Sequence, residues 1–323
     1  MPSRLSRLAA ATAVALALAG CGSDPSTTPG PSSSSTPGDL NVFPAGFDMA
    51  VGDEQRFLAG LLTNERELIV GGQVQMSFFY FGEEPEAANQ ELVAKTTATY
   101  LPVPGNDELA VEGGPTVAEA SSATGVYETT VGFDRPGTWG VGVAATIDGE
   151  TQRGTATFVV QAEPQVVSIG ESAPRTENAT VGGDAPRAAL DSRAAVGDGG
   201  EIPDPGLHDT TIADAIGAGR PVVVVVSTPV YCESRFCGPI TETIEELAGT
   251  YGDRAEFVHL EVWGDFENQE INAAAAEWIQ TDQGGNEPWV FLVDAAGNVA
   301  GRWDNVLDLD ALESDLDALP AAP

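Results

Sequence analysis

The sequence predicts two folded domains of different class, an all-β N-terminal domain and an α/β C-terminal domain. The chain has 323 residues, which is long for one domain and suits two domains with linkers. Between residues 41 and 162, short β-rich runs are separated by turn signals. From residue 206 to 320, apolar runs typical of buried strands alternate with helical stripes. Residues 163–205 are rich in Gly, Ala, Asp and Pro, which predicts an extended linker.

The first twenty residues have the composition of a bacterial export signal. Arg4 and Arg7 provide a positive n-region, and the apolar run LAAATAVALALAG follows them. The run ends in LAGC, whose last residue is Cys21, and this ending resembles the lipobox of bacterial lipoproteins. The resemblance implies that residues 1–20 are a signal peptide and that the thiol of Cys21 carries lipid. An ordinary secretory signal with a chance cysteine is the alternative.

Residues 21–40 are predicted to be a flexible tether between the lipid and the folded protein. They are rich in Ser, Thr, Pro and Gly and have almost no apolar side chains. Two acyl chains hold a protein stably at a membrane. No later segment reaches the roughly 18 continuous apolar residues of a spanning helix. We therefore expect a lipid-anchored protein on the extracytoplasmic face of the bacterial cell membrane.

The charge of the chain argues against nucleic acid as a partner. It has 49 acidic and 14 basic residues and a formal net charge of −35, whereas nucleic-acid binding needs a basic surface. The same charge disfavours binding to anionic lipid headgroups. A solvated acidic surface that keeps the protein soluble is the simplest interpretation.

The β-rich runs of residues 41–162 favour an antiparallel sandwich. Six of them carry the pattern: QRFLAGLL, VQMSFFYF, LVAKTTATYL, GVYETTVGF, GTWGVGVAATI and GTATFVVQ. The stretch GVYETTVGFDRPGTWGVGV resembles the paired strands of bacterial immunoglobulin-like domains, which implies an immunoglobulin-like sandwich. The region has no cysteine that could form a disulfide between sheets. Tyr127 and Trp139 are expected to be buried in the core.

The C-terminal elements are predicted in the order strand, helix, strand, helix, strand, strand, helix. The runs VVVVVS (222–227) and EFVHLEVW (256–263) are typical of buried strands. Apolar residues spaced along 240–251 predict the first long helix, and QEINAAAAEWIQ (269–280) predicts the second. The segment WVFLVDAAGNVAGRW predicts a hairpin, and the leucines of 309–319 predict a closing helix.

The segment VYCESRFCGPI places Cys232 and Cys237 where the first strand leads into its helix. With Cys21 assigned to lipid, they form an isolated pair in an oxidising compartment. A disulfide across so short a loop is a poor structural staple, because entropic stabilisation grows with loop length. A thiol at a helix N-terminus is biased towards thiolate by the helix dipole. The pair is therefore predicted to be redox-active.

This element order, with a cysteine pair at the first helix, resembles the thioredoxin fold over residues 206–320. CGP at 237–239 adds to the resemblance, and Pro288 stands where that family carries a cis-proline. The resemblance implies an α/β thioredoxin-like domain whose strand edge beside Pro288 pairs with a substrate peptide. The predicted catalytic residues are Cys232 and Cys237, and the predicted substrate-binding residues are Tyr231, Glu287 and Pro288.

Two alignments of the cysteines compete. Matching CGP literally makes Cys237 the first cysteine of the family and puts Ile240 at the second position. Matching the apolar stripe of the helix makes Cys237 the second cysteine, with Cys232 two residues before the first position. We prefer the helix match, because a slip would rotate the buried face of the helix. CESRFC is then a CxxC loop widened by two residues, and Cys232 is the attacking thiol.

These features predict thiol–disulfide exchange on exported client proteins, with an electron donor or acceptor in the membrane. No cofactor and no metal are expected beside the redox-active disulfide. The first alternative is a copper chaperone of the Sco type, which shares the thioredoxin fold and binds copper through two cysteines and a histidine. The histidines here are His208 and His259, and His259 has the pattern of a satisfied core histidine. The second alternative is a non-catalytic binding module whose disulfide only stiffens a loop.

Replacing Cys21 by Ser is expected to abolish membrane anchoring, because the thiol that accepts the lipid is lost. The variant should be released into the medium or remain as uncut precursor, as measured by cell fractionation and mass spectrometry. Ser23→Ala in the same segment is the control and should stay with the membrane. A Cys21→Ser protein that is still processed and membrane-bound would contradict the lipid anchor.

Overall fold

The computed structural model describes residues 39–83, 90–106, 113–119, 125–197, 200–232, 234–281 and 285–319. All of them belong to one compact unit, Ser33–Pro323. The predicted signal peptide, Cys21 and nearly all of the tether lie outside the described residues, so the lipid anchor stays a prediction. Among the residues that are described, no helix combines the length and apolar character that a membrane span requires.

Nine strands between residues 40 and 160 form one antiparallel sheet, the large sheet. They are β1 (Leu40–Pro44), β2 (Gly52–Thr63), β3 (Leu68–Val70), β4 (Gln73–Gly82), β5 (Glu91–Pro102), β6 (Thr116–Ala118), β7 (Gly125–Phe133), β8 (Gly137–Ile147) and β9 (Glu150–Val160). Their order is β6-β3-β2-β7-β5-β4-β8-β9, and β1 pairs with β2. The tight hairpin between β8 and β9 turns at Asp148 and Gly149, which have φ of 52° and 84°. An Asp-Gly pair favours such a two-residue turn, because both positions need positive φ.

The expectation of an immunoglobulin-like sandwich is wrong. A sandwich has two separate sheets, whereas a single hydrogen-bonded path runs through these strands. The long strand β2 pairs with β1, β3 and β7, and this pairing joins what would be two sheets. The sheet also curls until β1 contacts β9, where a Cβ on Gly154 would collide with the Leu40 carbonyl.

The curled sheet encloses an aromatic core. Tyr127 and Trp139 are fully buried, as the sequence predicts. The Tyr127 hydroxyl donates to the Gly71 carbonyl at 2.8 Å, and Trp139 Nε1 donates to the Arg135 carbonyl at 3.1 Å. Their polar atoms are therefore satisfied inside the core. The phenylalanines that pack in the same core are Phe57, Phe78, Phe133 and Phe158.

The C-terminal part contains a four-stranded mixed sheet, the small sheet, and a two-stranded ribbon. The strands are β10 (Val222–Ser227), β11 (Glu256–Glu261), β12 (Trp263–Asp265), β13 (Glu270–Ile271), β14 (Trp289–Val293) and β15 (Val299–Asp304). The helices are α1 (Arg193–Val196), α2 (Ile212–Gly217), α3 (Cys237–Tyr251) and α4 (Leu309–Ala318). Short 3₁₀ turns lie at Arg187–Ala189, Pro205–His208 and Ala275–Glu277.

The order of the small sheet is β11-β10-β14-β15. Strand β10 runs parallel to β11 and antiparallel to β14, and all six of its residues are buried. Full burial on both faces explains why its sequence is an uninterrupted apolar run rather than an alternating one. The predicted strands at 222–227 and 256–263, the helix after Cys237, the hairpin and the closing helix are confirmed.

The expectation of an α/β thioredoxin-like C-terminal domain is wrong, and with it the two-domain fold class. Strands make up most of the regular structure that is described, and α1 and α2 have only four and six residues. The helix expected at 269–280 does not form, because Ile271 pairs with Trp263 in the ribbon. Asn272 Oδ1 then accepts from the Ala274 amide at 3.0 Å, so its side chain competes with helical backbone bonding.

Arg56 on β2 ties the large sheet to the small sheet. Its guanidinium donates to the Asp304 carboxylate at 3.1 Å, to the Asp304 carbonyl at 2.8 Å and to the Val306 carbonyl at 2.7 Å. It also pairs with Glu128 at 2.9 Å. A buried apolar cluster that includes Leu58 and Val306 lies beside these contacts. The two sheets therefore share a desolvated contact in which both terminal nitrogens of the guanidinium are hydrogen-bonded, whereas Arg56 Nε is buried without a partner.

Replacing Arg56 by Ala is expected to lower the free energy of unfolding by about 3 kcal/mol, because two carboxylates lose their buried partner. Arg135 is the matched control, since it also pairs with two acids, Asp134 and Glu91, but is exposed. Arg135→Ala should lower the free energy of unfolding much less, because solvent screens an exposed ion pair. Urea unfolding followed by tryptophan fluorescence measures both changes. Equal losses would contradict the role given to the buried contact.

Candidate active site

Cys232 and Cys237 lie between the end of β10 and the start of α3. Their sulfur atoms form a disulfide, and their Cα atoms are 6.1 Å apart. The helix begins at Cys237, so Gly238 and Pro239 occupy its first turn. Proline is tolerated there because the first helical amides have no intrahelical acceptor. Cys237 therefore sits at the positive end of a 15-residue helix.

The two cysteines differ in exposure. Cys237 is completely buried, whereas Cys232 is half-buried and its sulfur contacts the Ser234 hydroxyl at 3.3 Å. In the loop between them, Arg235 is exposed and has a φ of 65°, a left-handed conformation that bends the chain. Phe236 follows and packs against core clusters of both sheets. The loop is thus anchored at its Cys237 end and open at its Cys232 end.

Glu287 lies beside the disulfide and precedes Pro288 in the chain that enters β14. The peptide bond between them is cis. One carboxylate oxygen of Glu287 and the two sulfur atoms all lie within 4.8 Å of one another. The structure therefore brings together Cys232, Cys237 and Glu287, which the sequence selected from two distant segments.

A groove of about 680 Å³ lies next to the disulfide loop, is lined by Tyr231 and Ser234 on either side of Cys232 in the sequence, and has an aromatic wall. Tyr231 stacks on Phe266 with ring centroids 3.8 Å apart, and Trp263 meets Phe266 edge to face. Glu287 and Asn286 also line the groove. Tyr231 was predicted to contact substrate, and the structure places it in this wall. Sequence reasoning missed Trp263 and Phe266, whose only signal was two aromatic residues in the polar stretch WGDFENQE.

A second group of titratable side chains is buried away from the disulfide. Asp191, His208 and His259 are each at most 2% exposed, and their ligand-type atoms lie within 4.8 Å of one another. Burial acts to raise the pKa of Asp191, but His208, Arg193 and His259 together hold that pKa well below its ordinary value. Burial and the neighbouring His208 lower the pKa of His259 to about 3, so its ring is neutral. Sequence reasoning did not find this group.

The copper alternative needs a histidine beside the cysteines. Among the described residues, the side chain that joins Cys232 and Cys237 within ligand distance is Glu287, whereas His259 belongs to the group with Asp191. His259 also forms contacts with Ser227 on β10, at 3.0 Å to the hydroxyl. In the part of the chain that the structure describes, no histidine is grouped with the disulfide as a copper ligand, so the geometry does not support the copper alternative.

The sequence has no match among protein-family models or among curated proteins. The chemistry of the disulfide and its surroundings is therefore the basis for assigning a function.

After reduction, Cys232 is expected to react with iodoacetamide at least about tenfold faster than Cys237, because only Cys232 is accessible. Cys237→Ser and Cys232→Ser variants isolate each thiol, and mass spectrometry of timed samples gives the two rates. In urea the rates should converge, since both thiols are then exposed. Equal rates in the folded protein would contradict the difference in access.

Proposed function

We propose that this protein is a thiol–disulfide oxidoreductase that acts on exported proteins through Cys232 and Cys237. One observation carries the proposal: a half-buried cysteine is bonded to a fully buried one at the first residue of a long helix. The loop that this disulfide closes is short, so the bond contributes little to stability. Exchange chemistry is the better physical explanation for its position.

The reduction of a client proceeds in two exchanges. The Cys232 thiolate attacks one sulfur of a client disulfide, so that a mixed disulfide forms and the other client sulfur leaves as a thiolate. Cys237 then attacks the Cys232 sulfur, which closes the protein disulfide and releases the second client thiolate. Two electrons pass from the protein dithiol to the client, and the two thiolates take up protons. The reverse sequence oxidises a client dithiol.

The surroundings of Cys237 support its role as the resolving thiol. Unpaired amides at the start of α3 and the helix dipole stabilise a thiolate at this residue. Glu287 is close enough to exchange a proton with either sulfur, directly or through one water. Burial keeps Cys237 away from solvent and from clients, so it reacts with the mixed disulfide beside it. The direction of net transfer depends on the potential of this pair relative to its membrane partner.

The groove beside Cys232 suits an extended segment of a client protein. Its aromatic wall offers apolar contact, and Glu287 and Asn286 offer polar contact. An export signal and a lipid anchor, both predicted from the sequence, would place this groove where newly exported proteins meet oxidants. Client proteins that carry thiols or disulfides are therefore the proposed substrates.

The Cys237→Ser variant is expected to accumulate client proteins as mixed disulfides through Cys232, because the resolving thiol is missing. The Cys232→Ser variant should trap almost none, since Cys237 is buried. Non-reducing gels of the full chain expressed in a bacterial host, with mass spectrometry of the linked peptides, measure both. The variant lacking both cysteines is the control.

Three outcomes of this experiment distinguish the proposed roles of the two cysteines from the alternatives. Trapping through Cys232 supports the proposal as stated. Comparable trapping by Cys232→Ser, with Cys237 as the linked residue, would reverse the two roles and favour the literal CGP alignment. No trapping by either variant, although both fold, would overturn the proposal in favour of a non-catalytic binding module.

A further inference from the structure

The buried group Asp191, His208 and His259 has a geometry that hydrogen bonding within the protein does not explain. The Nε2 of His208 and the Nδ1 of His259 have no hydrogen-bond partner. Both point at the same oxygen, Asp191 Oδ2, from 3.9 and 3.8 Å. These distances are too long for hydrogen bonds. Two buried, unpartnered ring nitrogens that converge on a carboxylate oxygen require an explanation, because unsatisfied buried polar atoms are costly.

The contacts of His259 favour one position for its ring hydrogen. Nε2 lies 3.2 Å from the Ser227 carbonyl oxygen, which can only accept, and 3.0 Å from the Ser227 hydroxyl, which can accept because it can itself donate to Thr241 at 2.7 Å. A hydrogen on Nε2 satisfies both Ser227 oxygens and is therefore assigned there. In a neutral ring, Nδ1 then carries a lone pair, and this lone pair faces the Asp191 carboxylate. The arrangement is that of a metal-ligating histidine, whose second nitrogen donates to a backbone carbonyl and so fixes the ring.

We propose that Asp191, His208 and His259 bind one Zn²⁺ ion. Two imidazole nitrogens and a carboxylate oxygen are a common ligand set for zinc. Bonds of about 2.0–2.2 Å place pairs of ligand atoms about 3.3–3.6 Å apart in a tetrahedral site. The two distances to Asp191 Oδ2, 3.8 and 3.9 Å, exceed this spacing by only a few tenths of an ångström, and the two ring nitrogens lie within 4.8 Å of each other. A water completes the four ligands.

The charges around the group favour a divalent cation. Arg193 pairs with Asp191 through contacts of 2.6–3.1 Å and also contacts Glu245 on α3. Glu261 accepts from the Ser192 amide at 2.8 Å, next to Asp191. Asp191 and Glu245 outnumber the one guanidinium, and burial raises the pKa of Glu261 to about 7, so this third carboxylate is only partly ionised at neutral pH. A bound Zn²⁺ would offset the excess negative charge of this largely buried group.

The three ligands come from separate parts of the chain, so the ion acts as a clip. Asp191 precedes α1, His208 ends a 3₁₀ turn, and His259 lies in β11. The described residues of the covering segment, 187–197 and 200–208, form short helical turns and a small apolar cluster of Leu190, Ala194 and Ile202. Metal binding that joins separate parts of the chain contributes folding energy, so zinc would fasten the segment onto β11.

The test uses the full chain in detergent, with its disulfide intact so that neither sulfur can bind metal. After removal of metal by a chelator, Zn²⁺ is titrated by calorimetry in the presence of millimolar Ca²⁺. Ca²⁺ occupies acidic surface sites, which prefer hard cations, but does not compete for imidazole nitrogen. One equivalent of Zn²⁺ is expected to bind and to raise the thermal midpoint by roughly 5 °C at a hundredfold excess over Kd.

Three variants assign the site. His208→Gln and Asp191→Asn should each weaken Zn²⁺ binding by at least about a hundredfold and remove the thermal response. Glu287→Gln changes the other group of ligand-type side chains and should leave binding unchanged. Circular dichroism checks that each variant folds.

A spectroscopic measurement on the unmodified chain covers the case in which a variant fails to fold. X-ray absorption of the zinc-loaded protein should show two imidazole nitrogens at about 2.0 Å and no sulfur. The absence of stoichiometric binding, binding that persists in both ligand variants, or loss of binding in Glu287→Gln would each overturn the proposal. Sulfur in the absorption spectrum would overturn it as well.

Discussion

Strand β10 is the constraint on which both polar sites depend. Its six residues are buried on both faces, so its two neighbours are held in fixed register. Val226 pairs with Trp289, and this pairing brings the Glu287–Pro288 bond beside the chain that leaves β10 towards Cys232. On the other side, Val225 pairs with His259, which sets that ring against the Ser227 end of the strand. A shift of one residue would turn every side chain to the other face and separate both sets of groups.

The asymmetry of the disulfide follows from the way α3 packs on the small sheet. Cys237 continues the buried stripe of Ile240, Ile244 and Leu247, so its sulfur is drawn into the core with them. Cys232 lies before the helix and is half-buried, and its neighbours Tyr231 and Ser234 line the groove. The same packing that stabilises the helix therefore separates a half-buried cysteine, the proposed attacking residue, from a buried one, the proposed resolving residue. The buried stripe thus makes Cys237 the inner residue of the pair.

The large sheet supports the disulfide loop as well as its own aromatic core. Phe236, next to Cys237, packs against a cluster that contains Leu58 of β2 and Val306. Arg56 of the same strand holds Asp304 and the Val306 carbonyl. Local opening of the contact between the two sheets would therefore also displace the loop between Cys232 and Cys237. The proposed zinc site includes His259 on β11, the neighbour of β10 on the side away from β14. The contact between the sheets and the proposed zinc site thus stabilise two separate regions near the disulfide.

Local patterns in the sequence determined the strands at 222–227 and 256–263, the helix at Cys237 and the choice of the two cysteines with Glu287. Each of these depends on burial of one face or on a helix start, which neighbouring residues encode. Tertiary structure decided the rest. Alternating runs do not specify which strands pair, so one curled sheet formed where two were expected. The alanine run at 269–280 lost its helix to the pairing of Ile271 with Trp263. Asp191, His208 and His259 are distant in sequence and meet only because β11 and the segment above it pack together.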